Sequence, residues 1–180
     1  MTDPKPLFVP ALADASAELD YSDPGSDDFD ALSRDRVPVR SLSAGDLAAI
    51  VRIDRNITGV DRSDYLRRKV DEALHDSAIR VSLVAEVDGH AAGFIMARVD
   101  FGEYGRTEPV AVIDTIGIDP GYTGHGVGKA LLSQLLVNLA ALKVEKVETQ
   151  VTRENFGLLG FLYACGFAPS QRLAFDRIID

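Results

Sequence analysis

From Val37 onward the apolar residues fall into two spacings, a period of two that suits strands and a period of three to four that suits helices. Val37-Pro38-Val39-Arg40-Ser41-Leu42 predicts a short strand, with Pro38 favouring an edge position. Ser43 reads as a helix N-cap with the acidic Asp46 three positions on, and Leu47, Ile50, Val51 and Ile53 form one face of the helix that follows. Residues 56–60 are expected as a loop. A second helix is predicted from Asp61 to His75, with Tyr65, Leu66, Val70, Ala73 and Leu74 on its apolar side and Arg67, Arg68 and Lys69 outside. Strands at 80–87 and 91–99 flank Asp88-Gly89, the strongest hairpin signal in the chain. After a connection at 101–109 comes a β-branched run that ends at Ile118. A helix over 127–142 follows, with a core face of Leu131, Leu132, Leu135, Leu136, Leu139 and Leu142. A strand at 144–151, a helix at 155–165 and a final strand at 172–178 complete the predicted order β-α-α-β-β-β-α-β-α-β.

The junction after Ile118 carries the chemistry. The apolar run stops at Asp119-Pro120, passes through Gly121, Gly124, Gly126 and Gly128, and opens into the helix. A helix start leaves about four N–H groups without partners and concentrates roughly half a positive charge there, so phosphate is a natural ligand. Glycines let the backbone close around an anion and adopt positive φ where N–H groups must converge. A dinucleotide-binding G-x-G-x-x-G fails, because Lys129 or Leu131 stands where its third glycine belongs. A Walker loop fails at Ala130, which has no hydroxyl for magnesium.

The segment Ile116-Gly117-Ile118-Asp119-Pro120 followed by Thr123-Gly124-His125-Gly126-Val127-Gly128 resembles motif A of the GNAT superfamily of acetyl-CoA-dependent N-acetyltransferases. It departs from that motif at Thr123, where Arg or Gln is usual, and at His125, where a cationic side chain is common. The resemblance implies pyrophosphate binding by Thr123, Gly124, His125, Gly126, Val127, Gly128 and Lys129, mostly through backbone N–H groups. It also implies a mixed α/β (α+β) fold, a mainly antiparallel sheet with splayed central strands flanked by helices. In that fold a β-bulge exposes main chain to the pantetheine; Gly117 suits the bulge, and Ile116 and Ile118 would touch the coenzyme through their backbone. Strand alternation puts Val112, Asp114, Ile116 and Ile118 on one face. The family carries its acidic or histidine base on that face, which makes Asp114 the candidate base; a structural Asp bonded to loop backbone is the other reading. Asn155, eleven residues before Gly166-Phe167, resembles motif B, in which the asparagine bonds the pantetheine or nearby backbone; it also reads as a plain N-cap. Many members protonate the leaving thiolate with a tyrosine four residues before the motif B glycine. Leu162 occupies that position and Tyr163 comes one residue late.

Composition changes the picture only at the N-terminus. The 180 residues are 46% hydrophobic, enough for one domain with a core, expected at 37–180. Of the net charge of −9, residues 1–36 contribute −6, nine acidic residues against Lys5, Arg34 and Arg36, and with their prolines they read as an acidic, poorly ordered extension. No basic patch points to nucleic acid, no apolar run reaches the ~20 residues of a membrane span, and the start of the chain lacks the pattern of a secretory signal. With the single Cys165 these features suggest a cytoplasmic protein. The expected function is acetyl transfer from acetyl-CoA, with no metal, to a primary amine of a small molecule or peptide, Glu103, Glu108 and Asp114 suiting a cationic acceptor. The alternative is a non-catalytic acyl-CoA-binding regulatory or interaction module. A homodimer is left open.

Overall fold

Five strands form one sheet in the order β1 (Val39–Ser41), β2 (Leu83–Val87), β3 (His90–Phe101), β4 (Pro109–Ile118), β5 (Lys146–Thr149). The computed structural model describes residues 36–76, 79–101, 108–172 and 175–179. The N-terminal extension up to residue 35 and Glu103 therefore lie outside the described residues. Neighbours from β1 to β4 pair antiparallel, whereas β4 and β5 are parallel. A parallel pair needs a crossover, which here is the helix α3 (Val127–Ala141). The hairpin between β2 and β3 turns on Asp88 and Gly89, with φ of 51° and 74°; two positive values in succession are what a tight turn between twisted strands demands.

The sheet is covered on both faces. On one, Val127, Leu131, Leu135 and Leu139 of α3 pack against Ile95, Ala97, Ala111 and Ile113. On the other, α1 (Leu47–Thr58) and α2 (Ser63–Asp71) set Ile50, Ile53, Leu66 and Val70 against Val84, Phe94 and Met96. Both layers meet the sheet where β3 and β4 run side by side, and this fixes those two strands as the rigid floor of the site.

Several expectations change. Asn56, Ile57 and Thr58 continue α1 instead of forming a loop; the Thr58 hydroxyl donates to the Asp54 carbonyl at 2.8 Å, and Gly59 at φ 71° ends the helix. The first strand after α2 is shorter than expected, starting at Leu83, and β5 is confined to 146–149. Leu136 and Leu142, expected in the core, are 39% and 42% exposed. Leu136 is one residue beyond the buried Leu135, so a rotation of ~100° carries it out of the stripe. The final strand at 172–178 does not form among the described residues: Arg172 and residues 175–178 are irregular, and Leu173 and Ala174 lie outside the description.

The entry to α1 is held by one carboxylate. Asp46 accepts from Arg40 Nη1 and Nη2 at 2.8 and 2.7 Å and from the Ser43 N–H and hydroxyl, both at 2.8 Å. The hydrogen bonds from Arg40, with help from Ser43, hold Asp46 down at about 2. A folded value below the unfolded one means that the stabilisation is complete above about pH 4 and is lost as pH falls toward 2. Asp46→Asn should therefore cost about 2 kcal/mol near neutrality, and urea unfolding should show that gap closing as the pH approaches 2.

Candidate active site

The coenzyme side begins where β4 ends. The Asp119 carboxylate accepts the Gly121 N–H at 3.1 Å and starts a single turn, Pro120–Tyr122. Of the four glycines, Gly124 and Gly126 take left-handed φ, 83° and 80°, and Gly126 is the N-cap of α3. The first intrahelical bond runs from the Ala130 N–H to the Gly126 carbonyl at 2.9 Å, so the N–H groups of Gly126, Val127 and Gly128 lie ahead of it at the positive end of the helix. Gly128 serves a different need. A Cβ there would sit 3.2 Å from Phe161 Cε2, so this glycine admits the helix α4 (Phe156–Ala164) beside α3. The His125 Nδ1 lies 3.2 Å from the Thr123 carbonyl, which directs its Nε2 away from the loop backbone. Thr123 and His125 are both exposed, and Lys129 stands in the first turn of α3.

The sheet opens next to this loop. β4 pairs with β5 only from Val110 to Ile113, opposite Lys146 to Thr149, and the Thr149 hydroxyl donates to the Ile113 carbonyl at 3.0 Å. Beyond that point β5 has ended while β4 runs on to Ile118, so residues 114–118 are paired with β3 along one edge and have no described strand along the other. A splayed pair of central strands is therefore present.

The bulge lies elsewhere than at Gly117. In the β3–β4 register Met96 faces Thr115 and Ala97 faces Ile113, which leaves Asp114 as the extra residue. The insertion also breaks the expected alternation. Ile116 and Ile118 pack into the α3 layer with Ile113, whereas Asp114 bonds to Arg98, whose row across the sheet contains Val112 and Glu148. Gly117 is required by crowding: a Cβ would come 2.7 Å from Phe94 Cε1 and 3.4 Å from Ile57 Cδ1. Ile57 thus brings the end of α1 to the open edge of β4.

Charged side chains converge around the bulge. Arg98 donates through Nη1 to Asp114 and through Nε to Asp100 at 3.0 Å. Burial alone would lower the Arg98 pKa, but the hydrogen bond to Asp114 and the charges of Asp114 and Asp100 outweigh it and hold it above its ordinary value. Lys69, from α2, bonds Glu72 at 2.7 Å; that bond is the main reason its ammonium titrates above the ordinary value, and the charge of Asp114 adds to it. Glu148 of β5 is held by Lys146 at 2.7 Å and Arg172 at 3.3 Å. In the sequence Arg98, Asp100, Lys69 and Glu148 each look like an ordinary solvated charge.

On α4, Asn155 is the N-cap, its side-chain oxygen accepting the Leu158 N–H at 3.2 Å. Gly166, at φ 82°, ends the helix, with the Phe167 N–H bonded to the Leu162 carbonyl at 3.0 Å. Leu162 is buried, and Tyr163 is 57% exposed. Among the described residues no cluster of three or more His, Cys, Asp or Glu side chains is arranged to hold a metal, and no helix is long and apolar enough to cross a membrane.

The sequence pattern of the acetyltransferase (GNAT) family matches residues 47–167. Among solved structures, AAC(6')-Iy in complex with a bisubstrate analogue of CoA and acetylneamine is 21% identical, with a TM-score of 0.66 over 80% of this chain and 99% of its own. The aminoglycoside 6'-N-acetyltransferase AAC(6')-Ih from Acinetobacter baumannii is 18% identical, with a TM-score of 0.67 over 80% and 99%. Ribosomal-protein-alanine N-acetyltransferase from Brucella melitensis biovar Abortus 2308 is 19% identical, with a TM-score of 0.61 over the same shares. At these identities the likeness is one of fold.

Proposed function

This chain belongs to the GNAT family of acetyltransferases, and from that premise we propose that it acetylates a primary amine on a cationic small molecule or peptide, with Asp114 as the base. That it is an acetyl-CoA-dependent N-acetyltransferase follows from the family; the acceptor and the residue roles are proposals. Residues 37–180 are read as one catalytic domain.

The backbone N–H groups from Gly124 to Lys129 would hold the pyrophosphate, with Thr123, His125 and Lys129 beside them. Two left-handed glycines and the helix start fit such an anion. The unpaired edge of β4, through the main chain of Ile116, Gly117 and Ile118, would receive the pantetheine, with Asn155 across from it. Acetyl-CoA supplies a thioester whose carbonyl accepts the amine. The residues of this chain do the rest. The rigid β3–β4 floor holds the amine near the open edge, N–H groups on that edge face the carbonyl oxygen, and the Asp114 carboxylate takes the ammonium proton directly or through water. A thiol titrates near pH 8.5, so its thiolate can leave without a dedicated acid. Leu162 in the usual tyrosine position and the outward Tyr163 accord with that.

The observation that carries this reading is the bulge: it sets a carboxylate at the mouth of the split between β4 and β5. Carboxylates at Asp100, Asp114 and Glu148 suit a cationic acceptor, and an aminoglycoside and a ribosomal-protein alanine are acceptors named for the structural neighbours. The apolar Phe175, Ile178 and Ile179, 91%, 84% and 91% exposed, favour a homodimer that covers them.

Purified protein given acetyl-CoA and a panel of aminoglycosides, polyamines and peptides should release free thiol with at least one amine. Coenzyme binding without turnover across the panel would instead favour a non-catalytic acyl-CoA module. Light scattering on the same preparation reads the oligomeric state, and a monomer at micromolar concentration would remove the dimer.

A further inference from the structure

Asp114 already has a partner, and that partner is shared. Arg98 holds Asp114 with Nη1 and Asp100 with Nε, one carboxylate on the bulge of β4 and the other two residues along its own strand. The two anchors differ in freedom. Asp100 and Arg98 lie on one face of the same strand, so their spacing is set by the strand itself. Asp114 is the inserted residue at the split, where β4 has passed the end of β5, its second neighbour among the described strands.

We propose that Arg98 is a positioning residue that exchanges partners: the incoming acceptor ammonium takes the Asp114 carboxylate from Arg98, while Asp100 retains the guanidinium. This rests on the reading of Asp114 as the group that receives the amine. Arg98 suits the exchange because its fork has several donors and keeps one carboxylate when it releases the other. Its side chain is 44% exposed and that of Asp114 22%, so the bond that must be given up is a partly solvent-screened ion pair. The other charged groups described around the bulge have hydrogen-bond partners of their own, and Lys69 reaches Asp114 only through its charge. Lys69 is bonded to Glu72, and Glu148 to Lys146 and Arg172. The arrangement gives specificity, since a neutral acceptor cannot replace Arg98 on Asp114 and leaves the base occupied.

The test titrates n-butylammonium, as a minimal acceptor probe, into the full chain with coenzyme A present and follows the backbone amide NMR signals of residues 113–117. The wild type should show a saturable shift. Arg98→Gln should tighten the apparent affinity about threefold, the scale of one exposed ion pair. Asp100→Asn should weaken binding by a similar factor, because Arg98 is then left with Asp114; Arg98→Lys should fall between wild type and Arg98→Gln. A purely structural Arg98 would weaken binding in both variants. Unchanged or weaker affinity in Arg98→Gln, with the shift still abolished by Asp114→Asn, overturns the exchange and leaves the reading of Asp114 standing. A shift that survives Asp114→Asn, or no shift in any form, overturns both.

Discussion

Asp114→Asn is expected to slow acetyl transfer about a hundred- to thousandfold while leaving the coenzyme A dissociation constant within about twofold of wild type. The asymmetry follows from where the residue sits. Asp114 is the inserted residue of the bulge, with its carboxylate turned toward Arg98 and the charge of Lys69, whereas the coenzyme loop begins after Asp119 at the far end of β4. Asparagine keeps the volume and can still accept a hydrogen bond from Arg98, so the bulge and the sheet should survive. What it cannot do is take a proton, and that loss falls on the chemical step alone. Turnover measured at saturating acetyl-CoA, beside calorimetric titration of coenzyme A, separates the two quantities. A rate within about threefold of wild type would assign Asp114 to structure, and equal losses in rate and coenzyme binding would point to a collapsed bulge.

The parts of this design that could be read from the chain are those encoded by short spacings. The glycine-rich loop was legible because the αL positions at Gly124 and Gly126 and the helix they open lie within a few residues of one another. The hairpin at Asp88-Gly89 and the cap at Asn155 are equally local. The bulge was not legible at its true position. Which residue of β4 is inserted is decided by the register with β3, a pairing between distant segments, and nothing around Asp114 announces it. Gly117 attracted the assignment because glycine is common at bulges, yet the structure needs it small for Phe94. The same insertion reversed the predicted face of Ile116 and Ile118. Arg98 and Asp100 gain their meaning only from the carboxylate that the bulge presents to them.

Gly126→Val should weaken coenzyme A binding by about one to two orders of magnitude while lowering the unfolding temperature by only about 5 °C. Gly126 is held at φ 80°, and a Cβ built on it would meet nothing within 4 Å, so the penalty is one of backbone conformation and not of crowding. A β-branched residue is strained there and will relieve the strain by rotating the 126–127 peptide. That rotation redirects the Val127 N–H, which lies ahead of the first intrahelical bond, and pulls the Gly126 carbonyl away from the Ala130 N–H. The damage centres on the mouth of α3, where Val127 is the first residue of the buried stripe, because Leu131, Leu135 and Leu139 follow a turn or more later. Gly121→Ala is the matched control. Its φ is not left-handed and its Cβ would make only an ordinary 3.6 Å contact with Asp119, so coenzyme affinity should stay within about twofold of wild type. Calorimetric titration of both variants, paired with thermal unfolding, makes the comparison. If Gly126→Val bound coenzyme A as tightly as wild type, the N-terminus of α3 would not be the element that grips the pyrophosphate.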